Sequence, residues 1–216
     1  LPKTTINEIC SPNSTILLIG SDLKEEYGTL YIRLRDAITN MGAKLIELTP
    51  IETGLSNIAS ISLRPRPGEI AKVVNSILTG EAPVEIGGVN KESIQACHEL
   101  IQDTQINVVF AHHSIAESTE PITQALTLLR EVPETKFLPL VKRANTIGAL
   151  HMGMAPGQLP GQISLHDPRK TGLTGWPNLP KDEGLTTDQI LESAANGEID
   201  VLFLLGTDPL SDYRNL

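Results

Sequence analysis

Two short apolar runs, one towards each end of the chain, constrain the fold more than anything between them. Ser14-Thr15-Ile16-Leu17-Leu18-Ile19-Gly20-Ser21-Asp22 and Asp200-Val201-Leu202-Phe203-Leu204-Leu205-Gly206-Thr207-Asp208-Pro209 each pass through Leu, Ile, Val or Phe and stop at a glycine, a hydroxyl and an acid. A run that is apolar on both faces and ends in a turn signal is the pattern of a strand buried in a parallel sheet, finishing at the carboxyl edge.

The segments between them supply the rest of an α/β fold. From Glu25 to Met41, Tyr27, Leu30, Tyr31, Leu34, Ala37, Ile38 and Met41 form one stripe, which predicts an amphipathic helix stopped by Gly42. Lys44 to Leu48 follows as a second strand, giving a right-handed βαβ unit. Ile58 to Leu63 has weak strand character, and Pro67-Gly68-Glu69 opens a helix that Gly80 ends. After a linker from Pro83 to Gly88, the pattern predicts a helix over Lys91 to Ile101, a strand over Asn107 to Ala111 and a polar turn at His112-His113-Ser114. A helix over Pro121 to Leu129 comes next, then a strand over Lys136 to Leu140 in which Pro139 favours an edge position.

Composition shifts at Asn145. Glycine and proline recur from there to Asp182 without helical periodicity, which reads as a long loop with a function or a covering partner. Thr186 or Thr187 can cap a last helix, closed by Gly197 ahead of the strand at Val201 to Leu205. The expected fold class is α/β, with a mostly parallel, doubly wound sheet of about five strands and flanking helices, or two halves meeting near Pro83–Gly88. The expected organisation is a first α/β half at 1–82, a second α/β segment at 83–144, the loop at 145–185, and a helix and strand at 186–216 that complete the sheet.

Charge and cysteine usage narrow the function classes. Seventeen Lys and Arg against 26 acids leave a formal charge of −9, which argues against a surface that tracks nucleic acid. The dense basic cluster Arg64-Pro65-Arg66-Pro67 is too short to reverse this. Cys10 and Cys97 are far apart and lack ligand-type spacing, so neither zinc nor an iron–sulfur cluster is expected within this chain. No apolar run approaches the roughly 18 residues of a membrane-spanning helix. A leading Leu1 and an end at Leu216, just past a strand-like run, suggest a piece of something longer.

The two glycine-hydroxyl-acid turns lie where open α/β sheets hold ligands, and backbone N–H groups there can cradle phosphate. Neither is followed by GxGxxG or GxxxxGK[ST], so the turns equally suit simple caps of the next helices. His112-His113 with Glu117 does not read as a chelating pair, because adjacent residues in extended chain point to opposite sides. Asn145 to Met154 offers an amide, a hydroxyl and closely spaced glycines that permit tight approach to a large ligand. Its Leu150, Met152 and Met154 equally suit contact with a neighbouring domain, as does Trp176-Pro177.

The segment Asn145-Thr146-Ile147-Gly148-Ala149-Leu150-His151-Met152-Gly153-Met154-Ala155-Pro156-Gly157 resembles one found in molybdopterin oxidoreductases. Together with Gly20 to Glu26, Tyr31 to Arg35, Leu48-Thr49-Pro50 and Leu204 to Pro209, in that order, the chain is most similar to the large iron–sulfur subunit of proton-pumping NADH:quinone oxidoreductase, respiratory complex I. The likeness covers nearly the whole chain and corresponds to the central α/β domains of that subunit.

In cofactor-bearing members of the superfamily, loops after these strands grip a bis-pterin guanine dinucleotide. By that resemblance the pterin-loop positions are Gly20, Ser21, Asp22 and Glu26, then Thr49 and Pro50, then Asn145, Thr146 and Gly148, and last Gly206, Thr207 and Asp208. No Cys or Ser is a defensible molybdenum ligand, so the resemblance implies a vestigial, cofactor-free scaffold with no catalytic or metal residues of its own. It also implies a parent subunit carrying 4Fe-4S and 2Fe-2S clusters in an amino-terminal part. The implied partners are those iron–sulfur domains and other peripheral-arm subunits, at the cytoplasmic face of the bacterial inner membrane and without membrane insertion. The alternatives are a fragment of an active, formate dehydrogenase-like enzyme and a thiamine diphosphate or sugar-nucleotide module.

Overall fold

The computed structural model describes residues 2–102, 104–111 and 119–212, which divide into two compact units, Leu1–Val141 and Lys142–Leu216. The first unit runs α1 (Ile6–Ile9), β1 (Thr15–Ile19), α2 (Leu23–Glu26), α3 (Gly28–Asn40), β2 (Lys44–Leu48), β3 (Ile61–Leu63), α4 (Ile70–Thr79), β4 (Glu85–Ile86), β5 (Val89–Asn90), α5 (Lys91–Ile101), β6 (Ile106–Ala111), α6 (Thr119–Arg130) and β7 (Lys136–Leu140). The second holds α7 (Thr146–His151), β8 (Gln158–Leu159), β9 (Ile163–Ser164), α8 (Lys170–Thr174), α9 (Thr187–Ala195) and α10 (Pro209–Asp212).

The first unit is a doubly wound α/β layer. Its sheet has the order β3-β2-β1-β6-β7, and every pairing is parallel. Side-chain alternation sorts the strands' residues between two cores. Ile16 and Leu18 of β1, with Leu45 and Val109, pack with Ile9, Leu23, Leu30, Leu34 and Ala37 of α1 to α3. Leu17 and Ile19, with Ile46, Leu48, Val108 and Phe110, pack on the opposite face with α4, α5 and α6. β1 and β6 are buried along their whole length, as central strands covered on both faces must be. The expected segments 1–82 and 83–144 thus contribute to one sheet.

Several local expectations need correction. The helix expected from Glu25 is two helices, because Tyr27 leaves helical geometry at φ −141 and ψ 58. The linker from Pro83 to Gly88 contains the first strand of a small antiparallel hairpin, β4–β5. The long loop from Asn145 carries α7, the hairpin β8–β9 and α8. His112, His113, Ser114 and Glu117 lie outside the described residues.

The largest correction concerns Val201 to Leu205, which is in no strand among the described residues, so the fifth strand of the sheet is β3 instead. Hydrophobicity selects for burial but does not specify which sheet supplies the neighbours. Here both outer edges of the sheet are blunted. On β7, Phe137 N–H donates to Pro2 O at 2.8 Å, Phe137 O accepts from Thr4 N–H at 3.1 Å, and Pro139 has no N–H to offer. On the other side β3 is three residues long and runs into Arg64-Pro65-Arg66-Pro67.

The second unit has a different character. Its buried apolar side chains among the described residues are Leu159, Leu165 and Leu191. Met152, Met154, Trp176, Leu185 and all of Val201 to Leu205 are exposed.

Candidate functional site

The loops after β1 and β2 form the carboxyl edge where an open α/β sheet would receive a ligand. Gly20 ends β1 at φ 70, and its N–H donates to Leu48 O at 2.9 Å. A Cβ here would stand 3.2 Å from Cδ1 of Ile122, so the turn passes close under α6 and favours glycine on both counts. Ser21 is fully buried, and its hydroxyl donates to Glu26 Oε2 at 3.1 Å. Asp22 is the N-cap of α2, its Oδ1 accepting from Lys24 N–H at 3.0 Å. Gly20, Ser21, Asp22 and Glu26 are therefore brought together, mainly by bonds among themselves.

Across the edge, Thr49 is buried and its N–H donates to Leu63 O at 3.3 Å, while Pro50 is half-buried. The two loops also meet: a Cβ on Gly54 would fall 2.7 Å from Cδ of Lys24, so the lysine stem lies directly over that glycine.

The dominant polar feature of this edge was not singled out from the sequence. Glu47, in β2, is fully buried and serves as common acceptor for an irregular segment and for β3. Its Oε1 accepts from the Thr53 hydroxyl. Its Oε2 accepts from Ser56 Oγ at 2.8 Å, Ser62 Oγ at 2.6 Å and Arg64 Nη2 at 3.2 Å. The same Nη2 also donates to Ser56 Oγ at 2.6 Å. The available signal was an acid inside an otherwise apolar strand, Leu45-Ile46-Glu47-Leu48, since a buried carboxylate demands donors.

The other predicted positions belong to the second unit. Asn145 precedes α7 without a side-chain cap, and its carboxamide oxygen lies against Gly148 so closely that a Cβ there could not be accommodated without moving it. Thr146 Oγ1 donates to Arg143 O at 3.1 Å. Gly206 turns the chain at φ 64, Thr207 is exposed, and Asp208 Oδ2 accepts from Ser211 Oγ at 2.7 Å. This unit also contains an apolar-walled cavity of about 460 Å³, with Met154, Leu159, Leu165, Leu185 and Ile190 in its wall. None of the predicted site residues lines it.

Among the described residues no group of three or more His, Cys, Asp or Glu is placed to hold a metal. Burial pushes the Cys97 thiol up to about 12 and also raises that of Cys10, which disfavours the thiolate form a metal requires. No described helix is long and apolar enough to cross a membrane.

No family model matches the chain. Curated relatives do. It is 28% identical to a subunit of the NADH-quinone oxidoreductase of Rhizobium meliloti, over 92% of this chain and 26% of that protein. It is 25% identical to formate dehydrogenase H of Escherichia coli, over 77% of this chain and 25% of that protein. The chain spans about a quarter of the length of the curated relatives it matches. A chain of the formyltransferase/hydrolase complex of Methylorubrum extorquens, solved with methylofuran, shares the fold. The TM-score is 0.55 at 16% identity, covering 91% of this chain and 53% of that one. The resemblance drawn from the ordered motifs, to molybdopterin oxidoreductases and most of all to the large subunit of NADH:quinone oxidoreductase, agrees with these relatives.

Proposed function

We propose that this chain is a scaffold portion of the large peripheral-arm subunit of a respiratory NADH:quinone oxidoreductase, in which the polar groups of an ancestral pterin-dinucleotide loop are now engaged within the protein itself. The relationship supports the parent's identity, and the carboxyl edge supports the loss of its ligand. By the resemblance, Ser21 and Asp22 are among the loop positions that would face a pterin dinucleotide. Here the hydroxyl is bonded to Glu26, the carboxylate caps α2, and Lys24 lies over Gly54. The single observation that carries the reading is that the loop after β1 spends its polar groups on itself, with the Lys24 stem lying against Gly54 of the next loop. In this reading the residues present do not fit the group.

In this reading the fragment has no activity of its own. Electrons pass through iron–sulfur clusters carried elsewhere in the parent subunit. The fragment braces those cluster domains and contacts neighbouring soluble subunits of the arm, on the cytoplasmic side of the inner membrane. Metal and pterin analysis of the purified parent subunit tests it. Iron is expected, with molybdenum, tungsten and pterin each far below one per subunit. Stoichiometric molybdenum or tungsten with a pterin would overturn it and favour the formate dehydrogenase-like alternative.

A further inference from the structure

Val201-Leu202-Phe203-Leu204-Leu205 is the most conspicuous apolar surface among the described residues. Its exposure alternates: Val201, Phe203 and Leu205 stand at 81%, 83% and 83%, while Leu202 and Leu204 stand at 40% and 48%. A period of two along the chain is the mark of extended backbone, with successive side chains on opposite sides. All five side chains are apolar, so both faces call for cover; in the five-stranded sheet such an unbroken run is found in central β1, whereas the edge strands β3 and β7 carry Ser62 and Lys136 with Pro139.

The five-stranded sheet of the first unit is poorly suited to receive it. An incoming strand needs a row of free N–H and C=O groups. The β7 edge is occupied at Phe137 by Pro2 and Thr4 and interrupted by Pro139, and β3 offers three residues ahead of two prolines. The second unit's own hairpin strands, β8 and β9, are two residues each. With three buried apolar side chains among its described residues, that unit has little core of its own to offset the entropy of ordering.

We infer that Val201–Leu205 is an interior strand of a second sheet, whose other strands come from the parent polypeptide outside these 216 residues. The inference rests on the reading of the chain as part of a longer subunit, which the relatives' fourfold greater length supports. A parent polypeptide supplies the two flanking strands in fixed register and at high effective concentration, which a separate partner would not. Gly206-Thr207-Asp208 then stands at the carboxyl edge of that second sheet. The two turns that look like twins in the sequence close different sheets.

Hydrogen exchange on the purified parent subunit and on the 216-residue chain tests this. In the parent, the consecutive amides of Leu202 to Leu205 are expected to exchange at least on the order of 100-fold more slowly than in the isolated chain, because an interior strand bonds on both sides. Fast exchange in both proteins, or protection of alternate amides only, overturns it. So does protection in the isolated chain that rises with its concentration, which would assign the strand to a second copy. The exchange result is independent of molybdenum content, so a parent that holds molybdenum and still protects these amides defeats the scaffold reading while leaving this one standing.

Discussion

Replacing Glu47 by alanine removes the shared acceptor of four donors at once. The carboxylate is fully buried, and Thr53, Ser56, Ser62 and Arg64 converge on it. A hydrogen bond to a charged group contributes about 1.5–3 kcal/mol net, and deleting one member of a buried ion pair typically costs about 3–5 kcal/mol. The four bonds do not add, because the Arg64 side chain is 31% exposed and can regain water. Glu47→Ala is therefore expected to cost about 3–4 kcal/mol, mostly from orphaned hydroxyls and the cavity.

Glu47→Gln keeps the shape but only one acceptor oxygen with two lone pairs, fewer than the three donors now on Oε2, and should cost about 1–3 kcal/mol. Arg64→Met leaves the fully buried carboxylate with three hydroxyl donors and no counter-charge and should cost about 3 kcal/mol, the low end for an unpaired buried charge. Urea unfolding of the 216-residue chain, followed by circular dichroism with a common slope, measures all three. A Glu47→Ala chain within about 0.5 kcal/mol of the parent sequence would refute the reasoning, since that is the range of unremarkable surface changes.

Three further outcomes follow from the described geometry. The Lys136 ammonium, with help from Thr5, holds the Glu8 carboxyl at about 2 against an ordinary 4.5. Its folded-state pKa lies below the unfolded one, so its contribution is complete above about 4.5 and fades as pH falls towards 2. Glu8→Gln should flatten that stretch of the melting temperature against pH, and an unchanged slope would count against the pair. Cys97, buried with its thiol near 12, should resist a thiol reagent at pH 8 until denaturant is added, whereas half-buried Cys10 should react slowly in the native chain. Gly20→Ala must hold φ 70 beside Ile122 and should lower stability by about 1–2 kcal/mol in the same urea assay.

The legible parts of this fold were those set by local pattern. β1, β2, β6 and β7 appear as short apolar runs because a covered parallel sheet asks for apolar side chains on both faces. Lys91–Ile101 is helical over the span its periodicity indicates, and Thr186 closes a capping box with Gln189 at the start of α9. What was not legible depends on distant partners. β3 shows in the sequence only as weak strand character over Ile58 to Leu63, and its three-residue span is set by the edge that β2 offers at Ile46 to Leu48. Val201 to Leu205 announces burial without naming the sheet. At the candidate site the turns after β1 and β2 were found where expected. The Glu47 cluster was missed because its donors come from an irregular segment and a weak strand, where no periodicity marks which hydroxyl faces inward.

The strand order also has a consequence for how the molecule is made. β1 occupies the middle of the sheet, yet its neighbour β6 is separated from it in sequence by β2, β3 and three longer helices. During synthesis, β1 to β3 can pair as soon as Leu63 has emerged, while the other side of β1, an Ile-Leu-Leu-Ile ribbon, stays unpaired until β6 emerges. That ribbon is the sticky edge of the nascent chain, and holdase chaperones would be expected to guard it during the interval before β6 arrives.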